Sequence, residues 1–448
     1  MISHQLALIL AMILASGSLH AGGIFWSDRG AGQLKRMQFD GTDLSTLTLS
    51  GEVTSAGSNV RGITLDLVND QIFWADNGAK LIQRANFDGS SSVILHTISG
   101  GGSFPADVHL DPDAGLLYWC DRTRKHIEHS TFDGTSVMSA VSDAAPSGPY
   151  FMELDRVGGK IYWGDFSGGT IYRSNLDGSG RETLLTGNNS TRGVRVDSQG
   201  GMLYWVNRND KKVHRVPLSA LGGPTPIPLT HPAVETLYDN LDTPHGLTID
   251  IPARKIYWAD TGTNAGEGQG GRAVNRGDID GSSPMEVLAS GSQPWDVELD
   301  RRCLTYHEWR RRCFRVDATP EQTAPDANPE ADPFNNALEY LFNLAPLHPD
   351  GSGTLQTLLV VDSQTGLIHP AIRYPRRAGT SDLTSWVEVS TNLTEWEGSL
   401  GAPATVELQV RPLGDGMEEV TARTLDPLSE LPVVFMRVGV ALLPTPPP

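Results

Sequence analysis

Oxygen-bearing side chains recur in one segment of the carboxyl-terminal third with the spacing of a calcium-binding loop. Asn328, Glu330 and Asp332 lie two residues apart, and Glu339 occupies the twelfth position, where such a loop carries its bidentate carboxylate. Pro333 stands at the sixth position, where the loop needs glycine for its sharp turn. The segment is therefore predicted either to bind calcium or to begin a helix whose early carboxylates are stabilised by the helix dipole.

The three cysteines differ in their sequence surroundings. Cys303 and Cys313 flank a segment of nine residues that is short enough to form a hairpin. In an oxidising compartment we expect these two residues to form a disulfide. Cys120 has no such neighbour and is predicted to be a lone, partly buried thiol.

The segment around the predicted hairpin is rich in arginine, with two aromatic residues interspersed. Its members are Arg301, Arg302, Tyr306, Trp309, Arg310, Arg311, Arg312 and Arg315. Cationic and aromatic groups concentrated in this way would hold an acidic glycan or a carboxylate-rich partner. The alternative is that the segment docks onto the acidic surface of the protein itself.

Motifs of catalysis are absent from the sequence or stand in the wrong context. Residues 266–271 match the dinucleotide pattern Gly-x-Gly-x-x-Gly, but that pattern binds a pyrophosphate only between a strand and a helix. No helical periodicity follows it here, so a flexible loop is predicted. The chain has no Gly-x-Ser-x-Gly and no His-Glu-x-x-His motif. We therefore assign no catalytic residue.

The composition excludes two broad classes of protein. Lys and Arg total 35 against 53 Asp and Glu in 448 residues, a formal net charge of −18. An acidic chain is repelled by nucleic-acid phosphates unless it concentrates its positive charge locally. The apolar run at residues 6–15 is too short to span a membrane, and small residues follow it. It predicts a signal peptide at residues 1–21 and an exported protein that is periplasmic, cell-surface or extracellular.

The chain is built from repeats of an aromatic-Trp-x-acid tetrad. Eight residues before each of the later tryptophans stands the aspartate of an aliphatic-Asp pair, and a further pair, Leu299-Asp300, follows the last tetrad. The tetrads occupy residues 25–28, 73–76, 118–121, 162–165, 204–207 and 257–260. A period of this length is typical of β-propellers.

Each repeat contains three or four short β-rich runs separated by turns, and such a unit cannot bury both faces of its sheet alone. Radial packing around a channel solves that problem. The first unit begins directly at Phe25 without an aliphatic-Asp strand of its own. We therefore expect the strand that ends at Asp300 to complete it. The prediction is a six-bladed β-propeller over residues 22–318, closed so that no sheet edge is exposed.

At the tetrads the chain resembles the Tyr-Trp-Thr-Asp (YWTD) propellers of the low-density lipoprotein receptor family and of nidogen. The resemblance implies a six-bladed propeller with the tetrad on the second strand of each blade, and protein binding rather than catalysis. Two features depart from the family: Thr never stands third in a tetrad, and no cysteine-rich module follows. We interpret the tetrad as architectural, its aromatic pair filling the space between blades. Its acid either holds a turn or meets the basic residue eight positions later.

The remaining chain predicts a linker and a second β domain. Residues 319–350 are a polar, Pro-containing linker whose possible calcium loop is similar to the one that introduces the terminal module of large secreted bacterial proteins. Residues 390–396 resemble the Ser-Thr-Asp-Leu-x-x-Trp signature of those same modules. Alternating strand runs and turns over residues 351–443 predict a small immunoglobulin-like β-sandwich, and residues 444–448 are a Pro-rich tail.

A ring of variable residues is expected at one mouth of the propeller channel, where the residue just before each inner strand would lie. Counting five residues back from each aliphatic-Asp aspartate gives Arg61, Ala106, Tyr150, Arg192, His245 and Trp295. Five of the six are aromatic or basic, and Trp, Tyr and Arg concentrate binding energy at interfaces. The ring is predicted to bind a protein or glycan partner. Alanine at Tyr150 and Trp295 should then abolish binding and leave the melting temperature almost unchanged.

The sequence thus favours an all-β, exported, non-enzymatic recognition protein that uses the propeller face to bind its partner. The alternative is a metal-dependent, lactonase-like propeller hydrolase, whose metal would lie in the central channel. Against it, the acidic residues recur at equivalent positions in every repeat, whereas a metal site needs unlike ligands that converge from different blades. No cofactor is expected apart from the possible calcium.

Overall fold

Strands form most of the regular structure of the protein. The computed structural model describes residues 22–442 except 52–58, 99–101, 147, 189, 263–271, 303–305, 315–317, 320, 326, 328–335, 337–339, 341–354, 381–382, 393–394, 399–403, 415 and 428–433. The predicted signal peptide and the four predicted calcium ligands, Asn328, Glu330, Asp332 and Glu339, lie outside the described residues and stay predictions.

Six sheets make up the amino-terminal domain, and each sheet is one blade. They are antiparallel apart from one short parallel pairing in the fourth blade. The strands are, in chain order, β1 (Gly23–Asp28), β2 (Gln33–Met37), β3 (Ser45–Thr46), β4 (Val60–Asp66), β5 (Gln71–Asp76), β6 (Leu81–Asn86), β7 (Val93–Thr97), β8 (Pro105–Asp111), β9 (Leu116–Asp121), β10 (His126–Thr131), β11 (Met138–Val141), β12 (Pro149–Asp155), β13 (Lys160–Asp165), β14 (Ile171–Asn175), β15 (Glu182–Thr186), β16 (Thr191–Asp197), β17 (Met202–Asn207), β18 (Lys212–Pro217), β19 (Ile227–Pro228), β20 (Glu235–Tyr238), β21 (Pro244–Asp250), β22 (Lys255–Asp260), β23 (Ala273–Asp278), β24 (Glu286–Ser290) and β25 (Pro294–Asp300).

Blade 1 contains β25, β1, β2 and β3, so the two ends of the propeller meet in one sheet. Ile24 pairs with Leu299 and Gly23 with Asp300 in the β1–β25 ladder. The predicted closure is confirmed. The other blades follow in chain order as β4–β7, β8–β11, β12–β15 with β19, β16–β18 with β20, and β21–β24.

The inner strand of each blade contacts the inner strand of the next, and this chain of contacts runs once around the domain. The successive neighbours are β25, β4, β8, β12, β16, β21 and again β25. A circle of six inner strands therefore surrounds the central channel, and the predicted six-bladed, all-β fold is confirmed.

The tetrads lie on the second strand of each blade and are architectural. Their six tryptophans are at most 1% exposed and pack between sheets. The tetrad acid holds the turn that follows: Asp76 accepts hydrogen bonds from the N–H groups of Gly78 and Ala79 at 2.8 and 2.9 Å. The basic residue eight positions later does not meet the acid, because it stands opposite the first aromatic residue of the tetrad, as Arg84 does opposite Phe73.

The segment predicted as a hairpin is a helix, α1 (Tyr306–Cys313), so that prediction was wrong. Trp309 and Cys313 are four residues apart and lie on one helical face, and both are buried in a core shared with the carboxyl-terminal domain. Glu308 in the first turn and arginines in the last turn also suit the helix dipole. Helical periodicity thus outweighs the cysteine spacing on which the hairpin was based.

The carboxyl-terminal domain is a small β-sandwich. One sheet has the order β26-β27-β30-β29 and the other pairs β28 with β31. Ile372 and Val420 from the first sheet pack against Val387 and Val438 from the second. The strands are β26 (Gln356–Val361), β27 (Ile368–Arg377), β28 (Leu383–Ser390), β29 (Thr405–Gly414), β30 (Met417–Thr424) and β31 (Phe435–Leu442). No helix in the described part of the chain has the length and apolarity needed to cross a membrane.

Candidate functional site at the channel mouth

The predicted ring residues come together at one end of the channel. Each was predicted to stand just before an inner strand, but it is instead the second residue of that strand. The six residues therefore belong to the strands and not to the connections. We call these six residues the inner ring: Arg61, Ala106, Tyr150, Arg192, His245 and Trp295. Every member is buried, with between 1% and 4% of its surface exposed.

Trp295 lies at the centre of the contacts within the inner ring. The Arg61 guanidinium lies over the Trp295 ring at 3.8 Å, and the His245 ring is 4.0 Å from it. Tyr150 meets Trp295 edge-on at 6.0 Å and carries the Arg192 guanidinium over its own face at 4.3 Å. The inner ring is therefore a packed layer in which two arginines lie against aromatic rings.

Burial of the inner ring corrects one prediction. Tyr150 and Trp295 are 3% and 4% exposed and belong to a core cluster that also contains Phe151 and Trp163. Their removal would open a cavity in packed structure. The expectation that alanine at both positions leaves the melting temperature unchanged required accessible side chains, and that assumption was wrong.

A second ring, which the sequence interpretation missed, surrounds the first. It consists of the residue that directly follows each tetrad, and its backbone N–H donates in every blade to the carbonyl two residues before the inner-ring member, at 3.0 to 3.1 Å. We call it the outer ring: Arg29, Asn77, Arg122, Phe166, Arg208 and Thr261. The tetrad register was a sufficient signal, since the residue after the last one of each tetrad gives all six positions.

The two rings share their aromatic surfaces. Arg29 and Arg61 both lie over Trp295, and Arg61 and Arg122 both lie over Phe104. Arg122 and Arg192 both lie over Phe166, at 4.3 and 4.6 Å. The result is an arc of guanidinium groups around the mouth, each stacked on an aromatic ring, a geometry that stabilises cations.

None of the arginines in the two rings forms an ion pair with a carboxylate of the described residues. Arg192 donates to the carbonyls of Phe166 and Thr191, and Arg208 to the side chain of Asn209. Nε and Nη1 of Arg61 and Nε of Arg192 are buried without a hydrogen-bond acceptor in the structure. A set of five unpaired guanidinium groups stands out in a chain whose net charge is −18.

Burial and repulsion from neighbouring arginines disfavour the charged forms of Arg61, Arg192 and His245. Burial, with smaller contributions from Arg29 and Arg122, lowers the pKa of Arg61 to about 10. Burial, with Arg208, Arg122 and Arg61 nearby, lowers the pKa of Arg192 to about 10. Burial and the neighbouring arginines also hold the pKa of His245 well below its ordinary value. Arg61 and Arg192 remain cationic and His245 neutral near pH 7.

Deeper in the channel, two buried aspartates tie neighbouring blades together. Oδ2 of Asp107 accepts the Met152 N–H at 2.9 Å, and Oδ2 of Asp296 accepts the Ile63 N–H at 3.0 Å. Glycine at position 62 on the blade before Asp107 leaves room for that carboxylate, because a Cβ there would collide with it. These aspartates have a structural role.

The fifth residues of the inner strands form a polar layer near the opposite end of the channel. Arg195 forms ion pairs with Glu298 at 2.5 Å and with Glu153 at 3.3 Å, and His109 lies 3.4 Å from Asp107. Burial alone would lower the pKa of Arg195, but Glu298 and Glu153 outweigh it and raise that pKa. Unlike side chains from different blades thus meet here. In the described residues, however, no group of three or more His, Cys, Asp or Glu side chains is arranged to hold a metal ion.

The arginine-rich segment around α1 docks onto the protein's own acidic surface, as one of its two interpretations predicted. Arg302 pairs with Asp70 and Asp300 at 2.7 Å, and Arg311 pairs with Asp40 at 3.0 Å. Arg312, which is fully buried, pairs with Asp250 at 2.5 Å. The segment attaches the sandwich core to blades 1, 2 and 6 of the propeller.

The predicted disulfide stays a prediction, since Cys303 lies outside the described residues. Cys313 is 2% exposed, and Cys120 is a fully buried free thiol whose burial raises its pKa well above the ordinary value. We expect labelling under denaturant without reductant to detect one thiol, that of Cys120, and labelling after reduction to detect three. Three thiols without reductant would rule out the disulfide.

Comparisons with known proteins agree with this architecture. No family model matches the chain. It is 34% identical over 131 residues, 25% of this chain, to a low-density lipoprotein receptor-related protein 1 from Pyricularia oryzae, and 29% identical over 108 residues, 22% of this chain, to protein cueball from Drosophila willistoni. These matches cover 40% and 15% of the relatives, so the chain spans less than half of the length of either.

One solved structure, that of a nidogen/laminin complex, superimposes with a TM-score of 0.52 and 19% identity over 62% of this chain and 98% of that chain. This likeness concerns the fold. Together with the closed ring of six sheets and the buried tetrads, it defines the amino-terminal domain as a YWTD-like β-propeller.

Proposed function

We propose that the protein is an exported, non-enzymatic recognition protein that binds its partner at the channel mouth. The observation that carries the proposal is the set of five arginines in the inner and outer rings, none of which pairs with a carboxylate of the described residues. Arg61 and Arg192 are buried cations without a counter-charge, which is costly. An anionic group bound by Arg29, Arg122 and Arg208 above them would supply negative charge nearby.

The predicted site changes in one respect. The five predicted residues Arg61, Tyr150, Arg192, His245 and Trp295 support the site from beneath, because they are buried. Arg29, Arg122, Phe166 and Arg208 are exposed or half-buried above them, and these would contact the partner. The likeness to a chain of the nidogen/laminin complex supports a macromolecular partner for a propeller of this fold.

The test is affinity capture of a partner from the extracellular fraction of the source organism. The full-length protein and two triple variants of it serve as bait. Arg29→Ala, Arg122→Ala and Arg208→Ala together should reduce retention of the wild-type partner at least tenfold, since a hydrogen bond to a charged group contributes about 1.5–3 kcal/mol. The control, Arg156→Ala with Arg181→Ala and Arg411→Ala, removes the same charge elsewhere and should retain it. Equal retention by both variants would contradict a site at the mouth.

One observation favours the hydrolase as a second candidate. The fifth-residue layer brings together His109, Glu153, Arg195 and Glu298 from different blades, which is the mixture of unlike groups that the repeats themselves do not suggest. Metal analysis of the purified protein discriminates the two: a stoichiometric metal that is lost in Glu153→Gln would favour the hydrolase.

A further inference from the structure

We infer that the ligand at the channel mouth is a polyanionic polysaccharide, one that carries carboxylate or sulfate groups along its length. The inference rests on the proposed function and names the class of partner for the same site. It is drawn from the number of cationic groups, their arrangement and what the mouth lacks.

The cationic groups form an extended arc rather than a single pocket. They come from blades 1, 2, 3 and 5, and neighbouring guanidinium groups are linked by the shared rings of Trp295, Phe104 and Phe166. Lys80 extends the arc, with its Nζ 5.9 Å from the Phe104 ring. A linear chain with a charge on successive units meets several of these groups at once.

The site is prepared for anions before any ligand arrives. Arg61 is 4% exposed and held between Trp295 and Phe104, yet its Nε and Nη1 have no acceptor. Arg192 is 3% exposed and its Nε likewise lacks an acceptor. Arg29 and Arg122 are the stacked guanidinium groups that solvent reaches. Stacking limits the rotamer entropy that they lose when their planar donors bind carboxylate or sulfate oxygens.

Among the residues that the structure describes, the mouth shows neither of two common features by which domains hold peptides. A peptide binds by adding a strand to a free sheet edge or by inserting apolar side chains into pockets. The closed circle of inner strands offers no free edge at the channel. The aromatic faces of Trp295, Tyr150, Phe104 and Phe166 are covered by guanidinium groups, so charge and hydrogen bonding remain as the means of recognition.

The experiment measures binding of the full-length protein to four soluble polymers at low and physiological ionic strength. Polygalacturonate carries carboxylates, heparin carries sulfates as well, poly-L-glutamate is the acidic peptide, and dextran is the neutral control. We expect at least one of the two anionic polysaccharides to bind tenfold or more tightly than poly-L-glutamate, and dextran not to bind. Binding should weaken as salt rises, because mobile ions screen the exposed guanidinium groups.

The triple variant Arg29→Ala, Arg122→Ala and Arg208→Ala should lower the affinity for the preferred polysaccharide at least tenfold. The control variant Arg156→Ala, Arg181→Ala and Arg411→Ala should change it less than threefold. A preference for polygalacturonate would identify carboxylates as the recognised groups, and a preference for heparin would identify sulfates. Both outcomes support the inference.

Three outcomes would overturn it. Poly-L-glutamate bound as tightly as either polysaccharide, with the same dependence on Arg29, Arg122 and Arg208, would make the partner an acidic protein and leave the proposed function intact. Equal loss of binding in the two triple variants would show that the polymer is attracted to positive charge anywhere on the protein and not to a specific site. Absence of binding to every polyanion would reject the anionic ligand, while capture of a partner that depends on the mouth would still uphold the recognition function.

Discussion

Alanine at both Tyr150 and Trp295 is expected to lower the free energy of unfolding of the propeller by about 5 kcal/mol or more. Replacing one buried aromatic side chain by alanine costs about 3–5 kcal/mol, from lost transfer energy and from the cavity that remains. Both side chains are nearly fully buried, and their rings lie 6.0 Å apart. The two effects are therefore coupled and will not add exactly as independent sites do.

Loss of Trp295 also removes the ring on which Arg61 is stacked and against which His245 packs. The measurement is the midpoint of urea unfolding, followed by tryptophan fluorescence. Phenylalanine at both positions is the matched control, because it keeps most of the ring volume and should cost less than about 1.5 kcal/mol per site. An unchanged midpoint in the double alanine variant would contradict the packed inner ring.

The unfolding measurement also distinguishes residues that hold the mouth in place from residues that contact the ligand. The double alanine variant is expected to lose binding because its mouth no longer holds the arc of arginines in place. The triple arginine variant is expected to lose binding with its unfolding midpoint preserved, since Arg29, Arg122 and Arg208 are not buried. A pair of variants with these different signatures identifies which ring touches the ligand.

The register of the inner ring followed from the sequence because the inner strand is the same in every repeat. A fixed offset from the aliphatic-Asp aspartate placed Arg61, Tyr150 and Trp295 at equivalent positions, and the structure brings them together. Their burial did not follow from the sequence. It depends on how six strands converge on one axis, and on side chains such as Phe104 that belong to the connections between blades.

The deeper layers of the channel illustrate the same limit. Gly62 and Gly246 look like ordinary strand glycines in the sequence, yet each makes room for an aspartate on a neighbouring strand. These two contacts join residues that are 45 and 50 positions apart in the chain. A periodic sequence pattern reports the fold of one repeat reliably, because its determinants are local. It does not report which unlike residues meet at the centre.

For the segment that attaches the carboxyl-terminal domain, the predicted docking was correct and the predicted secondary structure was wrong. The excess of arginine between Arg301 and Arg312 correctly suggested docking onto the chain's own acidic surface. The cysteine spacing suggested a hairpin, but the apolar face formed by Trp309 and Cys313 requires a helix. Charge composition predicted the docking because ion pairs can form with many backbone geometries. It could not predict the helix, because packing determines the backbone geometry of this segment.

The second large effect is expected for the substitution of Arg312, near the end of α1. Arg312→Met is expected to lower the free energy of unfolding by about 3–5 kcal/mol, because it leaves the Asp250 carboxylate buried without its counter-charge. Both side chains are fully buried, and Nε and Nη2 of Arg312 donate to the two Asp250 oxygens at 2.5 Å. The double variant Arg312→Met with Asp250→Asn removes the charge from both sides and should recover part of the loss.

The pH dependence of these variants follows from the pKa of Asp250. Burial by itself would raise that pKa, but the charge and hydrogen bonds of Arg312 outweigh burial and lower it. In the wild type the pair therefore stabilises the fold above the unfolded pKa of about 4, and this contribution is lost as pH falls through the lower folded value. In Arg312→Met the burial of Asp250 is still opposed by the charge of Arg301 and by the Ala253 N–H, but the largest opposing influence is gone. The folded pKa of Asp250 therefore rises, and acid relieves part of the defect. The difference in unfolding midpoint between wild type and Arg312→Met should narrow below about pH 4. A constant difference across pH 3 to 7 would show that the effect comes from lost packing and not from the unpaired charge.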